Sequence, residues 1–175
     1  EKGEMACGEY GEGKMSSPRQ IFVYLKNYFH QKNLVKNKNL KALITTGPTR
    51  EYLDPVRYIS NESSGKQGYE LALALKRLGV KTKLITGPTN LIHGNDLKIK
   101  KIISAKEMMD EVKKSLPVDI AICAAAVSDF KPIRKSKTKI KRKNFNEKNI
   151  ILEKNPDILD YLSKNNKARP RIVVG

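Results

Sequence analysis

The chain has 175 residues, 39% of them hydrophobic, and a formal net charge of +17. That length suits one domain of ordinary size with a piece of another, and no apolar run approaches the roughly 20 residues needed to cross a bilayer. The charge asks for a polyanionic partner, but aromatics make up only 6%, tryptophan is absent and no RNA-binding aromatic signature appears, which weighs against sequence-specific nucleic-acid binding.

In chain order, residues 1–17 read as a loop rich in small residues. Their "EKGEMACGEYGEGKM" is acidic and glycine-rich where a signal peptide would be basic and then apolar. Residues 18–29 predict a helix: Pro18 suits a first helical position, and Ile21, Phe22, Leu25 and Phe29 recur at helical spacing. The polar, basic stretch 30–40 reads as a linker. An alternation follows: strand 41–46, helix 66–78 stopped by Gly79, strand 80–86, a strand near 97–103, helix 105–116 with Ser104 as N-cap and Pro117 at its end, and strand 118–123. Repeated β-α-β units predict an α/β fold, a Rossmann-like parallel sheet with helices on both faces.

After residue 130 the alternation breaks. "KTKIKRK" (137–143) reads as an edge strand or a flap, followed by a short strand at 149–153, a helix from near Pro156 and a buried strand at 171–175. Because the sequence stops within that strand, it is expected to be a piece of a longer protein. Cys7 and Cys123 lie far apart in unlike contexts, so no disulfide framework or zinc motif is indicated, and a reducing, cytoplasmic compartment is expected.

The chemistry concentrates in one unusual connection. A strand-to-helix link normally takes about two to six residues, yet "TTGPTREYLDPVRYISNESSGKQG" (45–68) separates the first strand from its helix. In an open parallel sheet ligands bind at the carboxyl ends of the strands. Four segments would gather there: this connection, a second "GPT" at 87–89, "AAAVSDF" (124–130) and "NPD" (155–157). Gly47 and Gly65 allow close backbone approach, and Ser63 and Ser64 offer hydroxyls beside a helix N-terminus, favourable for an anion. The spacing is neither a Walker loop nor a Gly-x-Gly-x-x-Gly turn. Ala124, Ala125 and Ala126 either admit a flat ligand or serve close helix–sheet packing. Asp129 would accept from ribose hydroxyls, hold magnesium through water, or cap a turn. Lys139 and Lys141, on one face of an extended segment, either neutralise phosphates or belong to a solvated face.

"GPTREYLDPVRYISNESSGKQG", "AAAVSDFKP", "KIKR" and "KNPDIL", in this order, closely resemble the phosphopantothenoylcysteine synthetase domain of coenzyme A biosynthesis. "GEMACGEYGEGKM" resembles the substrate-clamp segment of the flavin-dependent phosphopantothenoylcysteine decarboxylase, to which the synthetase is commonly fused in bacteria. The resemblance implies residues 1–29 as a decarboxylase remnant, 30–40 as a linker and 41–175 as a C-terminally truncated synthetase domain. It implies ligation of 4′-phosphopantothenate to cysteine through an acyl-cytidylate, with CTP and magnesium, the fused domain using FMN. Asn61, Ser63, Ser64 and Gly65 would bind phosphopantothenate, Asn61 mattering most in the second step. Cys123, Ala124, Ala125, Asp129 and Lys139 would bind CTP, with Lys139 on the triphosphate, while Pro156, Asp157, Ile158 and Leu159 would form the loop that reads cytosine. Cys7 would be the decarboxylase's acid.

The long connection would wrap phosphopantothenate and help pair two synthetase domains as a homodimer. No nucleic acid or membrane partner is implied. Acyl activation needs charge stabilisation at phosphorus more than a nucleophilic side chain, which suits a site without a Ser-His-Asp arrangement. His30 and His93 receive no role. Glu62 stands where a basic or neutral residue is commoner and Arg142 where the motif ends in lysine. Without the flavin-binding body and the residues that complete the nucleotide pocket, the piece alone is expected to be inactive.

Overall fold

The computed structural model describes residues 2–4, 10–12, 15–31, 39–91, 94, 97–141, 150–164 and 168–175, with side chains described from Met15 onward except at 29–31. Within the segment predicted to be loop, β1 (Lys2–Glu4) and β2 (Tyr10–Glu12) pair antiparallel, Gly3 opposite Gly11. Helix α1 (Pro18–Gln31) runs two residues into the stretch read as a linker, and the backbone of His30 is part of it. Its Ile21 and Leu25, four residues apart, are buried in the same apolar cluster as the central sheet.

The central sheet comprises β3 (Lys41–Pro48), β6 (Lys81–Thr86), β7 (Lys98–Lys101), β8 (Ile120–Ala126) and β11 (Ile172–Val174). All neighbours pair in parallel, in the order β11-β8-β3-β6-β7. Alternate strand residues serve opposite faces, as the two-residue period of a strand requires. Ala42, Ile44, Leu84, Ile120 and Ile122 meet α1 and the Leu71, Ala72 and Leu75 face of α2 (Lys66–Arg77). Leu43, Ile85 and Ala121 meet Met108, Met109 and Val112 of α3 (Ala105–Ser115), with Ile158 and Leu162 of α4 (Ile158–Ser163). Leu43, Ile44, Leu84, Ile85, Ile120 and Ile122 are each at most 1% exposed, and full burial of such a side chain contributes about 1.5–3 kcal/mol. This is the α/β, Rossmann-like parallel sheet with helices on both faces that the alternation predicts.

Local signals act where expected. Ser104 caps α3 by accepting from the Glu107 amide at 3.3 Å, while the Glu107 carboxylate accepts from the Ile103 amide at 3.0 Å. Gly79 ends α2 at φ 81°, a left-handed conformation that glycine adopts without strain.

The differences lie at strand ends. The strands predicted over 41–46 and 118–123 continue to Pro48 and Ala126, because β3 and β8 stay paired through Gly47–Ala125 and Pro48–Ala126. β11 is half-buried rather than buried: it lies at the sheet's edge with β8 as its neighbour. The long connection contains an antiparallel ribbon, β4 (Arg50–Tyr52) with β5 (Tyr58–Ser60). A second ribbon joins β9 (Phe130–Pro132) to β10 (Leu152–Lys154) and packs on β4. Residues 137–141 form no strand, and 142–149, with Arg142, lie outside the described residues. Among the described residues no helix is long and apolar enough to cross a membrane.

Two cavities at a candidate nucleotide and phosphate site

The strand order reverses between β3 and β8, and in open α/β sheets ligands bind beyond the carboxyl ends of the strands at such a point. Two cavities open there. The first, about 420 Å³, lies between the end of β8 and the start of α4, with Cys123, Ala125, Asp129, Pro156, Asp157, Ile158 and Leu159 among its walls. Seven predicted nucleotide residues, distant in sequence, are therefore brought together. Ala124 does not join them: it lies beside Thr46 in the register and takes the opposite face of β8. Ile158 and Leu159 open the first turn of α4 rather than a loop, and Asp157 caps that turn by accepting from the Asp160 amide at 2.8 Å.

This first cavity sets small groups beside charge: Asp129, Asp157 and Lys154 stand in its walls with Cys123, Ala125 and Pro156. Burial pushes the Cys123 thiol up to about 11, against a hydrogen bond from Thr45, so the side chain is a neutral thiol at physiological pH. Asn155, in the "NPD" segment but without a predicted role, ties the walls together. Its side-chain amide donates to the Ser128 carbonyl at 2.8 Å, and its backbone amide donates to that of Asp129 at 2.8 Å. Its Oδ1 is buried and has no hydrogen-bond partner.

The second cavity, about 490 Å³, lies between the end of β5 and the start of α2 and is walled by polar side chains: Arg50, Ser60, Asn61, Glu62, Ser63, Ser64, Thr89 and Asn90. Ser63 Oγ accepts from the Gly65 amide and Ser64 Oγ from the Lys66 amide, each at 3.3 Å. Both hydroxyl protons are thereby left to donate outward, as an anion requires. Gly65, the fourth predicted phosphopantothenate residue, does not wall the cavity but adjoins Ser64 of its wall: at φ 72° its carbonyl accepts from Thr46 Oγ1 at 2.7 Å.

Close packing explains the repeated Gly-Pro-Thr turns, whose Pro48, Pro88 and Thr89 wall the cavity. A Cβ on Gly87 would stand 1.6 Å from the Pro48 carbonyl oxygen, and one on Gly47 or Gly65 would stand 2.8 Å from the Thr89 methyl. The two turns are packed backbone to backbone, so only glycine fits at 87. Sequence repetition hinted at this, but nothing local showed that the turns touch.

Asn61 stands where the cavities meet. It walls the second, and its Nδ2 donates at 3.0 Å to the carbonyl of Val127, which walls the first. Thr49, fully buried, reinforces the seam: its hydroxyl accepts from the Ser128 amide at 3.0 Å and its carbonyl from Ser60 Oγ at 2.7 Å.

Lys139 walls neither cavity and is exposed. Its neighbour Ile140 is held by a clasp that the sequence did not reveal. Asp54, fully buried, accepts from the Arg57 side chain at 2.6 and 3.0 Å and from the Ile140 amide at 3.2 Å, while Arg57 donates to the Ile140 carbonyl at 3.0 Å. The Arg57 guanidinium, aided by backbone amides and opposed by desolvation, holds the Asp54 carboxyl well below the usual carboxylate range. Among the described residues no cluster of three or more His, Cys, Asp or Glu forms a metal cage. Asp129 and Asp157, carboxylates on one cavity wall, suit a magnesium ion carried in by a nucleotide and held through its water shell. Cys7 and His93 lie outside the described residues.

Comparison with known proteins fits this geometry. A protein of Borreliella burgdorferi described as coenzyme A biosynthesis bifunctional protein CoaBC is 42% identical over 176 residues, covering 100% of this chain and 44% of the relative. The Haemophilus influenzae protein of the same description is 41% identical over 169 residues, covering 96% of this chain and 42% of the relative. The chain thus spans less than half the length of the curated relatives it matches. The crystal structure of the C-terminal domain of a CoaBC protein superposes with a TM-score of 0.63 at 35% identity, covering 78% of this chain and 65% of that one. Residues 37–175 match the model of the DNA/pantothenate metabolism flavoprotein C-terminal domain. The chain belongs to that family.

Proposed function

We propose that this chain is part of the phosphopantothenate–cysteine ligase of a coenzyme A biosynthesis protein, fused to a flavin-dependent decarboxylase, and that the piece alone is inactive while the longer protein carries the activity. The carboxylate of 4′-phosphopantothenate attacks the α-phosphate of CTP, pyrophosphate leaves, and the amine of cysteine then displaces CMP from the acyl-cytidylate. The observation that carries this reading is the Asn61–Val127 hydrogen bond, which joins two cavities of unlike character at the reversal of strand order. A two-substrate condensation needs such adjacency, since holding reactants in a near-attack geometry supplies much of the rate.

In this reading the cavity at β8 and α4 takes the nucleotide. Cys123 and Ala125 flank it, Asp129 meets the ribose, and the backbone at 156–159 reads the base. Ala124 supports that wall from its other face. Asn61, Ser63, Ser64 and Gly65 take phosphopantothenate, and Lys139 reaches the triphosphate from the segment clasped by Asp54. Bound magnesium supplies charge neutralisation on the triphosphate. The decarboxylase step, with Cys7 as acid and FMN as cofactor, belongs to the longer protein, and no step is derived through the flavin. Homodimerisation is supported by the exposed Val56, Tyr58, Phe130, Ile133 and Leu152 on or beside the two ribbons that pack together.

The test is pyrophosphate release by the full-length protein, given phosphopantothenate, magnesium and either CTP or ATP, without cysteine. Release that depends on phosphopantothenate and prefers CTP supports both the acyl-cytidylate and the nucleotide. No release with either nucleotide overturns the ligase reading.

A further inference from the structure

Arg50 belongs to the long connection's motif but received no role from the sequence. Among the described residues it is the one cation that walls the second cavity, and Glu62 is the one acid. Among the described residues no carboxylate or carbonyl takes a hydrogen bond from its guanidinium. The side chain is braced instead: its guanidinium carbon lies 4.6 Å from the centre of the Tyr58 ring. The backbone is fixed as well, since the Arg50 amide donates to the Ile103 carbonyl at 2.8 Å and Arg50 faces Ser60 in the ribbon register. The neighbouring Glu51, 5% exposed, accepts from the Ala105 amide at 2.8 Å and locks β4 onto α3.

A half-buried arginine that spends no guanidinium donor among the described residues, lies over an aromatic ring and shares its cavity with hydroxyls that also have protons to give is built for an oxyanion. Arginine's planar fork meets phosphate in bidentate fashion, which a lysine cannot reproduce. We propose that Arg50, braced by Tyr58, holds a phosphate group in the cavity between β5 and α2. This deepens the ligase reading and rests on it for the identity of the phosphate, which belongs either to phosphopantothenate or to the nucleotide triphosphate.

The test uses Arg50→Ala, Arg50→Lys and Tyr58→Leu in the full-length protein, with KM and kcat measured for each substrate in the pyrophosphate assay. A charge-assisted bond of this kind corresponds to about a ten- to hundredfold rise in one KM for Arg50→Ala, with kcat changed far less. Arg50→Lys should recover only part of the loss, and Tyr58→Leu should fall between. A rise confined to phosphopantothenate assigns the phosphate to that substrate, and a rise confined to CTP assigns it to the triphosphate. Titration calorimetry with inorganic pyrophosphate on wild type and Arg50→Lys reads the site without any turnover, so it still tests Arg50 if the ligase reading fails. Unchanged KM values, together with pyrophosphate affinity indifferent to Arg50→Lys, would overturn the proposal.

Discussion

The two cavities share the carboxyl end of the sheet and a hydrogen bond, yet they are walled differently. The one at β8 and α4 sets a half-buried thiol, alanine, proline and the first turn of a short helix beside Asp129, Asp157 and Lys154, with its loops cross-tied by Asn155. The one at β5 and α2 is walled by arginine, serines and asparagines, with Pro48, Pro88 and Thr89 from two turns whose glycines are too crowded for any side chain. Small groups and backbone in the first select by shape and tolerate change poorly. The arginine, hydroxyls and amides of the second select by charge and hydrogen bonding. In the proposed reading, the same strand reversal takes a nucleotide on one side and a phosphate on the other.

The Gly-Pro-Thr turns, which supply Pro48, Pro88 and Thr89 to the second cavity, offer the sharpest way to break this contrast. Gly87→Ala should cost more than about 3 kcal/mol or prevent folding, because its Cβ would sit 1.6 Å from the backbone oxygen of Pro48, which cannot yield as a side chain could. Gly79→Ala is the control: it has the positive φ that Gly87 lacks and open space around it, so only the conformational penalty of about 1–2 kcal/mol should appear. Urea unfolding of both variants checks the difference, and equal losses would show that the Pro48 carbonyl yields to the added methyl.

Next comes the clasp. Asp54→Asn should loosen Ile140 and with it the lysine-bearing segment, raising KM for the nucleotide several-fold while leaving the tryptic pattern of the sheet unchanged. The sign of its pH dependence is set by a carboxyl whose folded value is depressed below the ordinary 3.8. The charged clasp contributes fully above that value and is lost as pH falls through the folded one. The gap in stability between wild type and Asp54→Asn should therefore be constant from pH 5 to 8 and close only below about 3.8. A gap that opens or closes near neutrality would remove Asp54 from the account.

Smaller effects separate the first cavity from the second. Asn155→Ala should raise KM for the nucleotide about tenfold, leave that for phosphopantothenate unchanged, and alter stability by no more than about 1 kcal/mol. It loses the bond to Ser128 but also removes a buried acceptor that has no partner. Equal rises in both KM values would mean that the two cavities do not act separately. Smallest in consequence, Cys123 should resist iodoacetamide at pH 8 in the native chain and react on unfolding, since its thiol titrates at about 11. Mass spectrometry of the Cys123 peptide reads this directly, and nucleotide should slow the labelling further.

What the sequence by itself determined is whatever depends on neighbours within a few residues. Alternating strands and helices, the Ser104 cap and the Gly79 stop follow from local apolar periodicity and backbone preference, and so the α/β class was legible. The motifs that resemble a known family also located most of both cavities, because their residues were recognisable in order. The tertiary structure alone decided the rest. It carried β3 and β8 two or three residues further than their composition indicated, because strand pairing across 78 positions supplied the hydrogen bonds. It turned Ala124 away from the ligand side, since a strand's faces alternate. It set Gly87 against Pro48, Asn61 against Val127 and Asp54 against Ile140, contacts between segments far apart in the chain. It laid Arg50 over the ring of Tyr58 with no carboxylate partner among the described residues, a property of the folded surroundings that no pattern of neighbouring residues encodes.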